Sequence, residues 1–199
     1  MKEKIERLHS VYEKFEVAAA PYKKESVCSK GCSFCCREAG RIHITTLEGW
    51  VISQAIERLS RSRKVSLKKK LAADMKRRES GKPAPCPFLM KNRACMIYAS
   101  RPFICRRMYS LKVCSKEQHP VVNRKVMNLA DETILRLQRL DDTGYSGHLS
   151  YILFMLSTPA FLQTYLDGYF RPEEVQDFGN SHGMIINRMI AFDQTASNA

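Results

Sequence analysis

Four thiols fall within nine residues in the segment Cys28-Ser29-Lys30-Gly31-Cys32-Ser33-Phe34-Cys35-Cys36. Packing alone does not call for such a density, although a single cysteine is often just a small buried hydrophobe. Cys32 and Cys35 have CxxC spacing, which lets one tight turn present two sulfurs to one metal. Gly31 lets the backbone bend just ahead of that turn. Cys35 and Cys36 are adjacent, and neighbouring side chains ordinarily point apart. The expectation is that they serve two centres, or that one stands behind the ligand shell. A multi-atom cluster or a two-metal site accommodates the pair more easily than a single ion.

A second set follows at Cys86, Cys95, Cys105 and Cys114, spaced by nine, ten and nine residues. Metal binding would supply the stabilisation that the surrounding proline-broken stretch otherwise lacks. Eight thiols suffice for two four-sulfur sites, or for one iron–sulfur cluster with four left over. All-sulfur ligation suits zinc or iron–sulfur clusters and excludes magnesium or calcium. Structural disulfides, inert core cysteines and a dithiol redox pair at Cys32 and Cys35 are the alternatives, and no βαβ pattern surrounds that CxxC to support the last.

The strings Cys86-Pro87-Phe88-Leu89, Cys95-Met96-Ile97-Tyr98, Arg101-Pro102 and Cys105-Arg106 resemble the YkgJ-like cysteine-cluster family. Cys28, Cys32, Cys35 and Cys36 are similar to its opening motif, and Ile44-Thr45-Thr46 with Glu48 to its following helix start. The resemblance covers roughly residues 26–106 and implies a zinc- or iron-chelating protein of a kind widespread in bacteria. It implies that seven cysteines are metal ligands or their near neighbours, while Cys114 lies beyond the matched part. The adjacent pair favours an iron–sulfur cluster over zinc, although the tight CxxCxxC run of ferredoxins is absent.

Other side chains carry weaker signals. Arg101 is suited to offset thiolate charge, and Pro102 to fix a turn between two ligands. The competing expectation is that Tyr98 packs in the core and Arg101 caps a loop. Glu48 reads as a helix-capping residue rather than a catalytic carboxylate. His43 and His119 lie near cysteines but are not needed as ligands. No Gly-rich phosphate loop, HExxH or GxSxG occurs, so no catalytic residue is assigned.

The elements that must position the thiols are mostly helical in pattern. Ile5, Leu8, Tyr12, Phe15 and Ala19 form an amphipathic stripe that Pro21 is expected to end. A second helix is expected over about 46–59, with Thr45 and Glu48 at capping-box spacing. A third is expected from Ser66, with Leu67, Leu71 and Met75 on one face and Gly81 as its stop. Between Pro83 and Cys114 no period is sustained, and loops and short turns are expected. Beyond it, Met127, Ala130, Ile134 and Leu137 mark a helical face with Asn123 as its cap. Leu149–Leu156 is apolar all round and suggests a buried helix. Thr158-Pro159 and Arg171-Pro172 look like helix starts, and 184–192 holds room for a final helix. Nothing alternates long enough to argue for a sheet. The expected fold is mainly α: a small single helical domain over 1–199, with an irregular cysteine-rich metal-binding core over about 26–114 and a helical part over about 122–192.

Composition bounds the function. The chain has 199 residues, 44% hydrophobic and 27% charged, enough for a real core and against wholesale disorder. No apolar run approaches the roughly 18 residues that span a bilayer. Met1–Arg7 is charged and lacks the apolar segment of a secretory signal, so a cytoplasmic location is expected. The net charge is +13, and residues 58–82 carry eleven Lys or Arg against Asp74 and Glu79, or +9 of it. That run reads first as a solvated helix face, and it also suits a redox or acidic protein partner. Nucleic acid is the less favoured partner, because no aromatics interleave with the basic residues. Two functions result: an iron–sulfur protein with an electron-transfer or redox role, or a zinc-stapled module binding nucleic acid or an acidic protein through 58–82. Metal storage or delivery ranks below both.

Overall fold

The computed structural model describes residues 1–29, 31–38, 42–82, 84–169 and 171–181. Its order is α1 (Lys2–Lys23), α2 (Phe34–Arg37), β1 (His43–Thr45), α3 (Thr46–Glu57), α4 (Arg61–Glu79), a 3₁₀ turn (Tyr98–Ser100), α5 (Phe103–Arg106), α6 (Arg124–Leu140), β2 (Ser146–His148), α7 (Leu149–Ser157), α8 (Pro159–Leu166) and α9 (Pro172–Ser181). The fold is mainly helical, as expected. The helix anticipated over 184–192 falls outside the described residues.

Two hydrophobic cores share α3. The first surrounds α7, where Ile44, Ile52, Leu67, Phe88, Leu149 and Ile152 are almost fully buried. The second joins α1 to α6 through Leu8, Phe15, Ala19, Val126, Ala130 and Leu137, with Phe103 set edge-on to Phe15 at 4.7 Å. On α3, Leu47 faces the second core and Ile52 the first. Gly49 lets α3 and α7 close together, since a Cβ there would lie 2.6 Å from Ile152 Cγ2. The α3 start is a full capping box: the Thr45 hydroxyl accepts from Glu48 N–H at 3.2 Å, and Glu48 Oε2 accepts from Thr45 N–H at 2.9 Å.

Four local expectations need correction. α1 does not end at Pro21 but runs on to Lys23. The proline sits in the last turn, and Val17, whose carbonyl loses its donor, is 70% exposed, so water can replace the missing bond. α4 begins at Arg61 rather than Ser66, because its first turns are solvated and leave no apolar stripe to read. On α6 the inward face is Val126, Ala130, Thr133, Leu137 and Leu140, while Met127 is exposed. A small ladder also exists: β1 and β2 pair antiparallel, His43 opposite His148 and Thr45 opposite Ser146. Three residues per strand are too few for alternation to register.

Among the described residues no single helix is long and apolar enough to cross a membrane. α7 and α8 are jointly apolar enough but meet at a 92° bend. The apolarity of α7 is accounted for by burial, since only Phe154 and Ser157 along it reach solvent appreciably.

Candidate metal centre

The structure regroups the eight cysteines. Cys35 and Cys36 on α2, Cys86 after α4, Cys95 in the following loop and Cys105 on α5 form an inner group whose thiols act on one another electrostatically. Cys28, Cys32 and Cys114 form an outer group in the same sense. Cys114 therefore joins the first two cysteines of the chain rather than the three that precede it.

Backbone bonds hold the inner group. Cys86 N–H donates to the Cys36 carbonyl at 2.7 Å, tying α2 to the segment after α4. Leu89 and Cys95 form a bridge, flanked by Met90 N–H to Ala94 O at 2.9 Å and Met96 N–H to Phe88 O at 2.9 Å. That tight return brings Cys95 back beside Cys86, and Phe88 and Ile97 anchor it in the first core. Pro102 starts α5, and Cys105 N–H closes on its carbonyl at 3.0 Å.

Glu48 positions α5 from below. Its Oε1 accepts from Phe103 N–H at 2.7 Å and from Tyr12 O–H at 2.6 Å, so one buried carboxylate joins α1, α3 and α5. Burial pushes its carboxyl above the usual range. The capping role is as expected, and the links to Tyr12 and Phe103 are additional.

The α2 pair does not point apart. Cys36 lies within hydrogen-bonding reach of Cys35, which lowers the Cys35 thiol to about 6 and raises that of Cys36. A helical turn separates neighbours by only about 100°, which allows both to face one side. Burial pushes Cys86 up to about 12 and also raises Cys95 and Cys105. These neutral thiols are what a cation would convert to thiolates.

Arg101 approaches the group, favouring the thiolate forms of Cys35 and Cys95. Its guanidinium stacks 4.3 Å from the centre of the Tyr98 ring, and Tyr98 is exposed rather than part of the core. Arg101 Nε is buried and has no hydrogen-bond acceptor. An unspent donor beside sulfurs fits anionic ligation there.

The outer group hangs from one loop. Val27 N–H donates to the Ser110 carbonyl at 2.9 Å, and the Ser110 hydroxyl gathers Lys112 N–H at 3.2 Å and Val121 N–H at 3.0 Å. Cys114 Sγ lies 3.8 Å from the Lys112 carbonyl. Gly31, at φ +92°, makes the left-handed bend before Cys32. Cys28 and Cys32 are exposed, and so are His43 and His119.

Donor chemistry and placement thus fit a sulfur-ligated metal, while ligating distances are not formed. Among the described residues no three His, Cys, Asp or Glu side chains stand close enough to hold one ion. Closure requires the thiols to turn toward a common point.

One buried polar cluster went unread in the sequence. Asp74 Oδ2 accepts from Ser150 O–H at 2.5 Å and from Arg78 Nε–H at 2.9 Å, and His148 Nδ1 lies 3.6 Å away. Asp74 follows Leu67 by seven positions, so an acid on an apolar stripe was the available signal.

Comparison with known families gives one match: the CxxCxxCC model, described as "Putative zinc- or iron-chelating domain", aligns with residues 27–133. No curated protein and no solved structure matches the chain significantly.

Proposed function

The chain belongs to the CxxCxxCC family, and we propose that its inner thiols, Cys35, Cys36, Cys86, Cys95 and Cys105, hold an iron–sulfur cluster used in electron transfer or redox chemistry. The observation that carries this reading is the gathering of five thiols from four chain segments beside the unspent Arg101 Nε–H. One tetrahedral zinc needs only four ligands, and a fifth thiol on an adjacent residue suits a larger centre. When bound, such a cluster supplies one-electron transfer, and its potential follows burial and hydrogen bonds to sulfur. The chain contributes Arg101 as a charge-balancing donor, and the Phe88–Ile97 wall excludes water from one side. Cys28, Cys32 and Cys114 form a separate, more accessible ligand set. The unpaired thiols suit a reducing compartment, which supports a cytoplasmic location.

Anaerobic purification with metal and acid-labile sulfide analysis tests the reading. The expected result is a brown protein containing iron and sulfide, whose broad visible absorption bleaches on reduction. Colourless protein with stoichiometric zinc overturns it.

A second reading has zinc staple the fold while α4 binds an acidic protein or nucleic acid. The favouring observation is that Asp74 is turned inward, leaving the outer face of α4 rich in lysine and arginine. Salt-dependent binding lost on neutralising the 58–82 lysines and arginines supports it, and affinity retained after neutralisation removes it.

A further inference from the structure

α1 packs mainly along α6, and α3 mainly along α7. The two helices therefore diverge, and a cleft of about 430 Å³ opens between them. That volume lies in the range of small-molecule sites, roughly 300–1,000 Å³. One wall is a stripe of α1, Ile5, His9 and Tyr12, and the other a stripe of α3 that includes Trp50, Val51 and Arg58. The 3₁₀ turn and Arg106 of α5 close one end.

Arg106 is fixed before any ligand arrives. Its Nε donates to the Arg101 carbonyl at 2.9 Å, its Nη2 to the Ala99 carbonyl at 3.0 Å, and the guanidinium lies 4.6 Å from the centre of the Tyr12 ring. The cation is thus held at the cleft end, with Nη1 still to be used by a ligand. Glu48 at the floor is no competitor for it, because both its oxygens already accept protein donors. Arg58 adds a second positive charge at the exposed end of α3. Flat apolar surface comes from Trp50, Val51 and Ala55. Two arginines around a cleft with an aromatic wall select an anion on a flat apolar body.

We propose that this cleft binds a small aromatic carboxylate, with its carboxylate on Arg106, its ring against Trp50, and Arg58 adding positive charge at the far end. None of the thiols lines the cleft, so the site stands whether or not the metal reading holds. Even so, α5 carries Cys105 in the inner thiol group and the next residue, Arg106, in the cleft.

Trp50 is the only tryptophan of the chain and lines this cleft, so its emission reports occupancy there. The full-length protein is titrated with biphenyl-4-carboxylate, the neutral biphenyl-4-methanol and acetate, by calorimetry and Trp50 fluorescence in parallel. The expected result is saturable binding of biphenyl-4-carboxylate with a matching change in Trp50 emission, and at least tenfold weaker binding of the other two. R58Q, at an exposed position, is expected to weaken the carboxylate severalfold with an unchanged circular dichroism spectrum. R106K is expected to weaken it further while metal content stays that of the parent. Equal affinity for the neutral analogue, absence of saturable binding, or affinity unchanged in both variants overturns the proposal. A parent protein that carries no metal yet binds biphenyl-4-carboxylate counts against the function proposed above and leaves this site standing.

Discussion

The inner and outer thiol groups draw on the same residue type but on different supports. Around Cys86, Cys95 and Cys105, every neighbouring turn is pinned to a core: Phe88 and Ile97 on one side, Phe103 on the other. Around Cys28, Cys32 and Cys114, the hydrogen bonds are local, centred on Ser110, and two of the three cysteines are exposed. A site hung on cores inherits the cooperativity of the fold, whereas a site hung on a loop opens at low cost. On this contrast, a metal held by the inner thiols would exchange more slowly than one held by the outer thiols.

The strongest way to break this contrast is to remove its support. E48A leaves Tyr12 O–H, Thr45 N–H and Phe103 N–H without their acceptor. It is expected to cost about 3–5 kcal/mol, or a fall in thermal midpoint on the order of 10 °C. Inner-group metal should be lost with it, and a midpoint within a few degrees of the parent would show that α5 is held otherwise.

C86S comes next. Cys86 is the one buried cysteine of the eight, and its backbone already bonds Cys36. The variant is expected to lose most of its metal at the inner group and to melt several degrees lower, read by metal analysis and calorimetry.

A third test titrates the scaffold. Asp141 accepts from Leu47 N–H at 2.7 Å and from Tyr165 O–H at 2.9 Å, and burial raises its carboxyl to about 6. The folded state thus binds this proton more tightly than the unfolded one, so its contribution to stability falls as pH rises from about 4 through 6. His148 works in the opposite direction. Burial lowers it to about 3, so its contribution grows as pH rises from 3 toward 6.5. D141N removes the first effect and leaves the second. Its thermal midpoint, lower than the parent's throughout, should rise more steeply with pH between 4 and 6.

The smallest effect belongs to the outer group. C114S is expected to change stability by less than about 0.5 kcal/mol, as for surface positions generally. It should remove only the more weakly held metal, measured by chelator competition. A loss as large as that of C86S would merge the two groups into one centre.

Much of the scaffold was legible because helices advertise themselves. The Thr45–Glu48 box, the Asn123 cap and the apolar run of α7 were all readable, since each depends on residues three or four apart. The role of the cysteines was legible from their number and order. Their grouping was not, because it depends on which loops meet: Cys114 reaches Cys28 through Ser110, a partner of Val27 from 83 positions away. The Glu48 bonds to Tyr12 and Phe103 were hidden for the same reason, spanning 36 and 55 positions. Pro21 misled because a helix-ending rule applies to interiors, and this one lies in a solvated last turn.

That same Glu48 carboxylate sets an order on the birth of the molecule. It is fully satisfied only when Phe103 has been made, whereas Cys28 through Cys36 leave the ribosome long before. At roughly 5–20 residues per second, the early thiols spend several seconds on a nascent chain that lacks α5. Until Cys86 is made, a metal captured in that interval would meet only the first four cysteines. If the inner thiols share one centre, it can be completed only after synthesis has passed Cys105, and a supply of metal timed to the finished chain would favour it over capture by the early thiols.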